Sequence, residues 1–183
     1  MKHGKKLMAL AAAALVSVSL LAGCGGETGL PENGEEMYTN MINPLQSFSL
    51  EELRSETGYN LQLPEDCANV VVTKINVVST EVKDPAPLYE VEFQDQSGNE
   101  YCFRMQMGQS EEDISGMYYE WTEALIIDEV DSSYTVFLNN EGKGMAAWQD
   151  EKAKYTLAMT ENAAAKLLNT MRTAILQESG FGE

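Results

Sequence analysis

Two stretches of this chain alternate in character residue by residue. They are Leu88-Tyr89-Glu90-Val91-Glu92-Phe93 and Tyr101-Cys102-Phe103-Arg104-Met105-Gln106-Met107, with Asp95-Gln96-Ser97-Gly98-Asn99 between them. A period of two sends alternate side chains to opposite faces of a strand, and a turn rich in Asp, Ser, Gly and Asn joins two such strands as an antiparallel hairpin. A hairpin with one apolar face must bury that face, so the rest of the chain has to extend the sheet and cover it.

More strand material stands on both sides. Residues 69–78 are dense in Val, Ile and Thr and end before Asp84-Pro85-Ala86-Pro87. After an acidic loop at Glu111-Glu112-Asp113, strand-like pieces occupy 120–129, 134–139 and 144–148, the last two separated by the turn Asn139-Asn140-Glu141-Gly142. A further piece at 154–159 follows Gln149-Asp150-Glu151. The economical assembly is an antiparallel sheet of about six strands. Its cover is a C-terminal helix over 161–177 with Thr160 as N-cap, because Ala164, Leu167, Leu168, Met171, Ile175 and Leu176 form a stripe at helical spacing. Gly180 then marks a frayed end.

A second, shorter helix is expected over 50–57. Ser49 caps its first turn, Glu52 completes the capping box three residues on, and Gly58 supplies a left-handed stop, with Leu50 and Leu53 inward. Ahead of it, Tyr38, Met41, Ile42 and Leu45 have loose helical spacing that Asn43-Pro44 interrupts, which reads as a short or broken helix. The fold class is therefore α+β, one domain over 37–183, with no repeat of solenoid period.

The N-terminus has a different grammar. Met1-Lys2-His3-Gly4-Lys5-Lys6 is basic, residues 7–21 carry no charge, and Leu21-Ala22-Gly23-Cys24 closes the run with small residues and a cysteine. That is the pattern of a secretory signal peptide over 1–23, and the apolar run falls short of the roughly 20 residues of a spanning helix. The alternative is an uncleaved anchor helix with Cys24 just outside it. Leu21-Ala22-Gly23-Cys24 resembles the lipobox of bacterial lipoproteins. The resemblance implies that Cys24 is diacylated on sulfur, palmitate being a typical chain, and becomes the first residue after cleavage. Two acyl chains suffice for stable anchoring where one is marginal. Residues 24–36, rich in Gly and Glu, then read as a flexible tether of roughly 20 Å root-mean-square reach.

Cleavage sharpens the chemistry. The full chain has 12 basic and 29 acidic residues, a net charge of −17; without Lys2, Lys5 and Lys6 the 160 residues that remain are near −20. Such a surface repels nucleic acid and anionic headgroups. It is foremost a solubilising surface, and secondarily a candidate for basic peptides, basic proteins or divalent cations. His3 is the single histidine, so the processed chain has none. That removes Ser-His-Asp and Cys-His machinery and imidazole zinc sites, leaving carboxylates, lysine or tyrosine for any catalysis. Neither a catalytic pair nor a cofactor is legible.

Several features have a chemical and a plainer reading. Gly142-Lys143-Gly144 lacks the rest of a phosphate loop and reads as a hairpin turn. Residues 95–100 carry calcium-type oxygens at the wrong spacing for an EF-hand. Glu111, Glu112 and Asp113 with Asp128, Glu129 and Asp131 collect a cation only if their loops converge. Tyr118, Tyr119, Trp121 and Trp148 either line a ligand face or pack the sheet. Cys67 and Cys102 either pair, closing a loop of about 36 residues worth ~3.8 kcal/mol in the chain-entropy description, or stay as buried thiols.

Residues 112–118, then Ala146-Ala147-Trp148-Gln149-Asp150, Tyr155-Thr156-Leu157 and the final amphipathic helix resemble an uncharacterised domain family found on Gram-positive lipoproteins and outside single-span proteins similar to anti-sigma factors. The resemblance spans roughly 58–177. It implies a curved antiparallel sheet with an extracytoplasmic binding or sensing role, on the outer side of the cytoplasmic membrane, and transfers no catalytic residue. The anti-sigma members' spanning helix and cytoplasmic module have no counterpart here, so signalling would require a separate partner. Three functions follow as expectations: a tethered binding or accessory module with a protein or envelope partner, a carboxylate-based cell-wall glycan hydrolase, and a lipid carrier.

Overall fold

The computed structural model describes residues 45–77, 85–109, 113–129 and 133–182. Cys24, the tether and the expected helix near residues 38–42 lie outside them. In chain order the elements are β1 (Leu45–Phe48), α1 (Leu50–Thr57), β2 (Tyr59–Asn60), β3 (Ala68–Ile75), β4 (Leu88–Gln94), β5 (Glu100–Met107), β6 (Glu123–Asp128), β7 (Ser133–Leu138), β8 (Gly144–Gln149), β9 (Ala153–Met159), α2 (Ala165–Glu178) and β10 (Gly180–Phe181). The fold is α+β, as expected, with eight strands rather than about six in the main sheet. Their order is β1-β3-β4-β5-β9-β8-β7-β6, every neighbour antiparallel.

Two meanders, β3-β4-β5 and β6-β7-β8-β9, meet in the middle where β5 pairs with β9, Phe103 opposite Leu157. Three hairpin turns use one local device. A side-chain oxygen of the first turn residue accepts backbone N–H groups further on: Asp95 from Ser97 and Asn99, Asn139 from Glu141 and Lys143, Asp150 from Lys152 and Ala153, all at 2.7–3.0 Å. Asp95 also accepts from Asn99 Nδ2 and the Tyr101 hydroxyl. The oxygens that hinted at calcium are thus spent on their own turn.

The core lies on one face. Tyr89, Val91, Phe93, Phe103, Met105, Val136, Tyr155 and Leu157 point there, and α2 covers them with Leu168, Met171 and Ile175. Leu53 of α1 joins them fully buried, its helix bounded as expected: Ser49 Oγ accepts from the Glu52 N–H at 3.2 Å and Gly58 sits at φ +74°.

Three sequence expectations need correction. Leu45 belongs to an edge strand, β1, whose four residues pair with β3. The long helix starts at Ala165 rather than 161, because Asn162 turns left-handed at φ +53° and the Ala163 N–H docks on Gly142 O at 2.8 Å, holding the chain off the helical path. Gly180 is not a frayed end: β10 pairs with β2, and Phe181 packs edge-on against Tyr59 at 5.1 Å.

Candidate binding face

After β5 ends in the middle of the sheet, the chain must reach β6 at its edge. Residues 113–122 lie along that route, across the face opposite α2. Asp113 accepts the Ser115 N–H at 2.8 Å and the Ser115 hydroxyl at 3.0 Å, and Ser115 Oγ in turn accepts the Met117 N–H. Gly116, at φ +66°, lies against the Arg104 guanidinium, where a Cβ would come within 2.0 Å of Nη1. Arg104 donates from Nε to Glu90 at 2.7 Å and from Nη1 to Ile114 O at 3.3 Å, so it fastens the crossing segment to the sheet. Met117 is buried with Met145 and Ala158 in a second, smaller apolar cluster.

Beyond Met117 the segment turns its aromatics outward. Tyr118 is 87% exposed and Tyr119 39%. Trp121 meets Tyr119 edge-on at 6.1 Å and the outward-facing Phe137 of β7 at 5.8 Å. Lys143 stands 4.0 Å over the Tyr119 ring and pairs with Glu141 at 2.9 Å. Tyr119, Trp121 and Phe137 thus form an aromatic ledge with Lys143 over one end, on the side of the sheet that bears no helix.

Of the four aromatics singled out by sequence, the structure brings Tyr119 and Trp121 together, leaves Tyr118 exposed next to Tyr119 in the chain, and removes Trp148. Trp148 lies in the core, stacked on Tyr155 at 5.4 Å and 15°, because its position in β8 alternates toward α2. Phe137 and Lys143 are the members that sequence reasoning missed. In β7, Tyr134 and Val136 face inward, so alternation already assigned Phe137 to the outer face.

Cys67 and Cys102 are unpaired. Cys67 precedes β3 and packs against the main core, whereas Cys102 lies on β5 facing outward beside Glu90. Two strand spacings, about 9–10 Å, separate β3 from β5, beyond the ~7 Å Cα limit for a disulfide. Burial, with the Glu90 carboxylate adding to it, pushes the Cys102 thiol up to about 12, so it is protonated and unreactive at neutral pH. Burial, then Asp66 and Asp95, raise Cys67 as well.

No group of three or more His, Cys, Asp or Glu among the described residues could hold a metal ion. Glu111, Glu112 and Asp131, part of the expected cation cluster, lie outside the described residues. Concavities lie apart from the ledge: a cleft of about 220 Å³ at the ends of β3, β4 and β5, lined by Val71, Glu92 and Cys102, and one of about 450 Å³ between α1 and residues 60–67. Among the described residues no helix is long and apolar enough to cross a membrane. No known family model, curated protein or solved structure matches this chain.

Proposed function

We propose that this chain is a lipoprotein, anchored through lipid on Cys24 to the outer side of the cytoplasmic membrane, whose folded part is a binding or accessory module rather than an enzyme. The observation that carries the reading is the aromatic ledge. Tyr119, Trp121 and Phe137 pack ring against ring, with Tyr118 87% exposed next to Tyr119 in the chain, and offer amphipathic surface of the kind enriched at recognition sites, with Arg104 and Met117 fixing the segment beneath. A ligand of the envelope, a peptide, polymer or protein, would rest on it while the lipid and tether keep the domain near the membrane. The lipobox resemblance supports the anchoring, and the exposed aromatics support the binding role.

Co-purification from membranes after mild crosslinking tests this, comparing the native chain with Cys24→Ala and with Tyr118→Ala/Trp121→Ala. A discrete partner lost in both variants is the expected outcome. Recovery of cell-wall fragments or of lipid instead, unaffected by the aromatic substitutions, would overturn the reading in favour of the hydrolase or the lipid carrier.

A further inference from the structure

The ledge already carries a cation, and it belongs to the chain itself. Lys143 Nζ lies 4.0 Å from the centroid of the Tyr119 ring and 2.9 Å from Glu141 Oε2, so an aromatic face and a carboxylate together grip one ammonium. The Glu141 hydrogen bond raises that ammonium above its ordinary value, and the pair thus favours the charged form. The Lys143 side chain is not what holds its turn: Asn139 Oδ1 accepts the Lys143 backbone N–H, at 3.0 Å. Glu141 is 70% exposed and Tyr119 39%, so carboxylate and ring both stay within reach of a partner. The surround is acidic. Glu120 is exposed beside Tyr119 in the chain, and Leu125 and Ile127 pack against the core, which sets Ile126 and Asp128 on the outer side of β6.

We propose that Tyr119 and Glu141 form a cation subsite, held by Lys143 until a lysine or arginine side chain of a basic partner protein displaces it. The inference rests on the reading of the ledge as the binding face and names the chemistry that face selects. The incoming ammonium or guanidinium lies over the Tyr119 ring and pairs with Glu141, while Lys143, on an exposed turn, passes to water. Charge complementarity chooses the occupant. Glu120, Asp128 and Glu141 stand around the ledge against Lys143, on a chain of net charge −17, so a basic segment is drawn to this surface. Anionic polymers, anionic headgroups and a second copy of this chain are repelled by the same charge.

The test uses the full chain in detergent and two fluorescein-labelled hexapeptides, Gly-Arg-Gly-Arg-Gly-Arg and the same peptide with neutral citrulline in place of each arginine. By fluorescence anisotropy, Lys143→Gln should bind the arginine peptide about fivefold more tightly than the native chain, because it opens the subsite. Lys166→Gln removes the same charge from an exposed position on α2, on the other side of the sheet, and should change affinity less than about twofold. Adding Glu141→Gln or Tyr119→Leu to Lys143→Gln should undo the gain, and the citrulline peptide should show none. Equal gains in Lys143→Gln and Lys166→Gln would reduce the effect to net charge and overturn the proposal. So would binding that is unchanged or weaker in Lys143→Gln, or an equal gain with citrulline. In the membrane pull-down, a partner lost by Tyr118→Ala/Trp121→Ala but kept by Glu141→Gln/Lys143→Gln removes the subsite and leaves the ledge. A partner kept by both variants removes the ledge as well.

Discussion

Arg172 is the most deeply buried charge among the described residues, 2% exposed in the middle of α2's apolar stripe. Its guanidinium lies 3.7 Å over the Tyr134 ring and 5.1 Å from the Trp148 ring, and Nη1 donates to both oxygens of Glu129 at 3.1 and 3.2 Å. The hydroxyl of Tyr134 also donates to Asn169 on the same helix. Removing the carboxylate strands a buried cation, whereas removing the cation frees a half-exposed carboxylate to water. Glu129→Gln should therefore cost about 2 kcal/mol, after allowance for solvent around Glu129, and Arg172→Met less than about 1.5 kcal/mol. Urea unfolding of the two variants checks the order.

Asp95 gives a pH signature at the same scale. Burial pushes its carboxyl up, but hydrogen bonds from Asn99, Ser97 and Tyr101 outweigh that and hold it below its ordinary 3.8. A carboxyl lowered by folding stabilises above its unfolded value, and that stabilisation is lost as the pH falls through the folded value. Asp95→Ala should accordingly melt below the native chain at pH 6, with the gap closing below pH 3.8. A gap that stayed constant across that range would show that the carboxylate's charge is not what the turn uses.

At the scale of elements, the crossing segment depends on Gly116. Its left-handed backbone and its contact with Arg104 leave no room for a side chain. Gly116→Ala should cost about 1–3 kcal/mol and raise amide exchange over residues 114–121, while the α2 side of the sheet keeps its protection. Uniform loss of protection throughout would mean that the segment and the core unfold as one unit.

Legibility also divides by element. The hairpin β4-β5 and the helix α1 were readable almost to the residue, because alternation, the capping serine and the stop glycine all act within about four positions. The edge strand β1 was not: Leu45, Gln46 and Ser47 are all exposed, so it carries no burial period and exists only because β3 is there to pair with it. The helix α2 was read as an apolar stripe, yet its start was set by Gly142, 21 positions earlier than Ala163. Of the ledge, Tyr118, Tyr119 and Trp121 were legible as a cluster. Their separation from Trp148 needed the strand's facing.

For the whole molecule, charge and topology set the terms. A net −17 over 183 residues repels itself in the folded state, so added salt should stabilise the chain through screening. Melting temperature should rise between 10 and 500 mM sodium chloride and rise less in a variant with several surface acids neutralised. A falling melting temperature would show that ion pairs such as Lys74–Glu56 and Arg104–Glu90 outweigh the repulsion.

What the sequence by itself determined is whatever its local periods and short-range hydrogen bonds encode. These are the strands β3 to β9, the turns held by Asp95, Asn139 and Asp150, the capped short helix, the apolar stripe of the long one and the acidity of the surface. Only the tertiary structure decided the strand order, with β5 and β9 joined at the centre across some 50 residues of chain. That joining sends residues 113–122 over the outer face and so creates the aromatic ledge. It also decided that Arg172 enters the core and that Cys67 and Cys102 stay apart. Such pairings hold residues far apart in the chain, and only the packing of the assembled sheet selects among them.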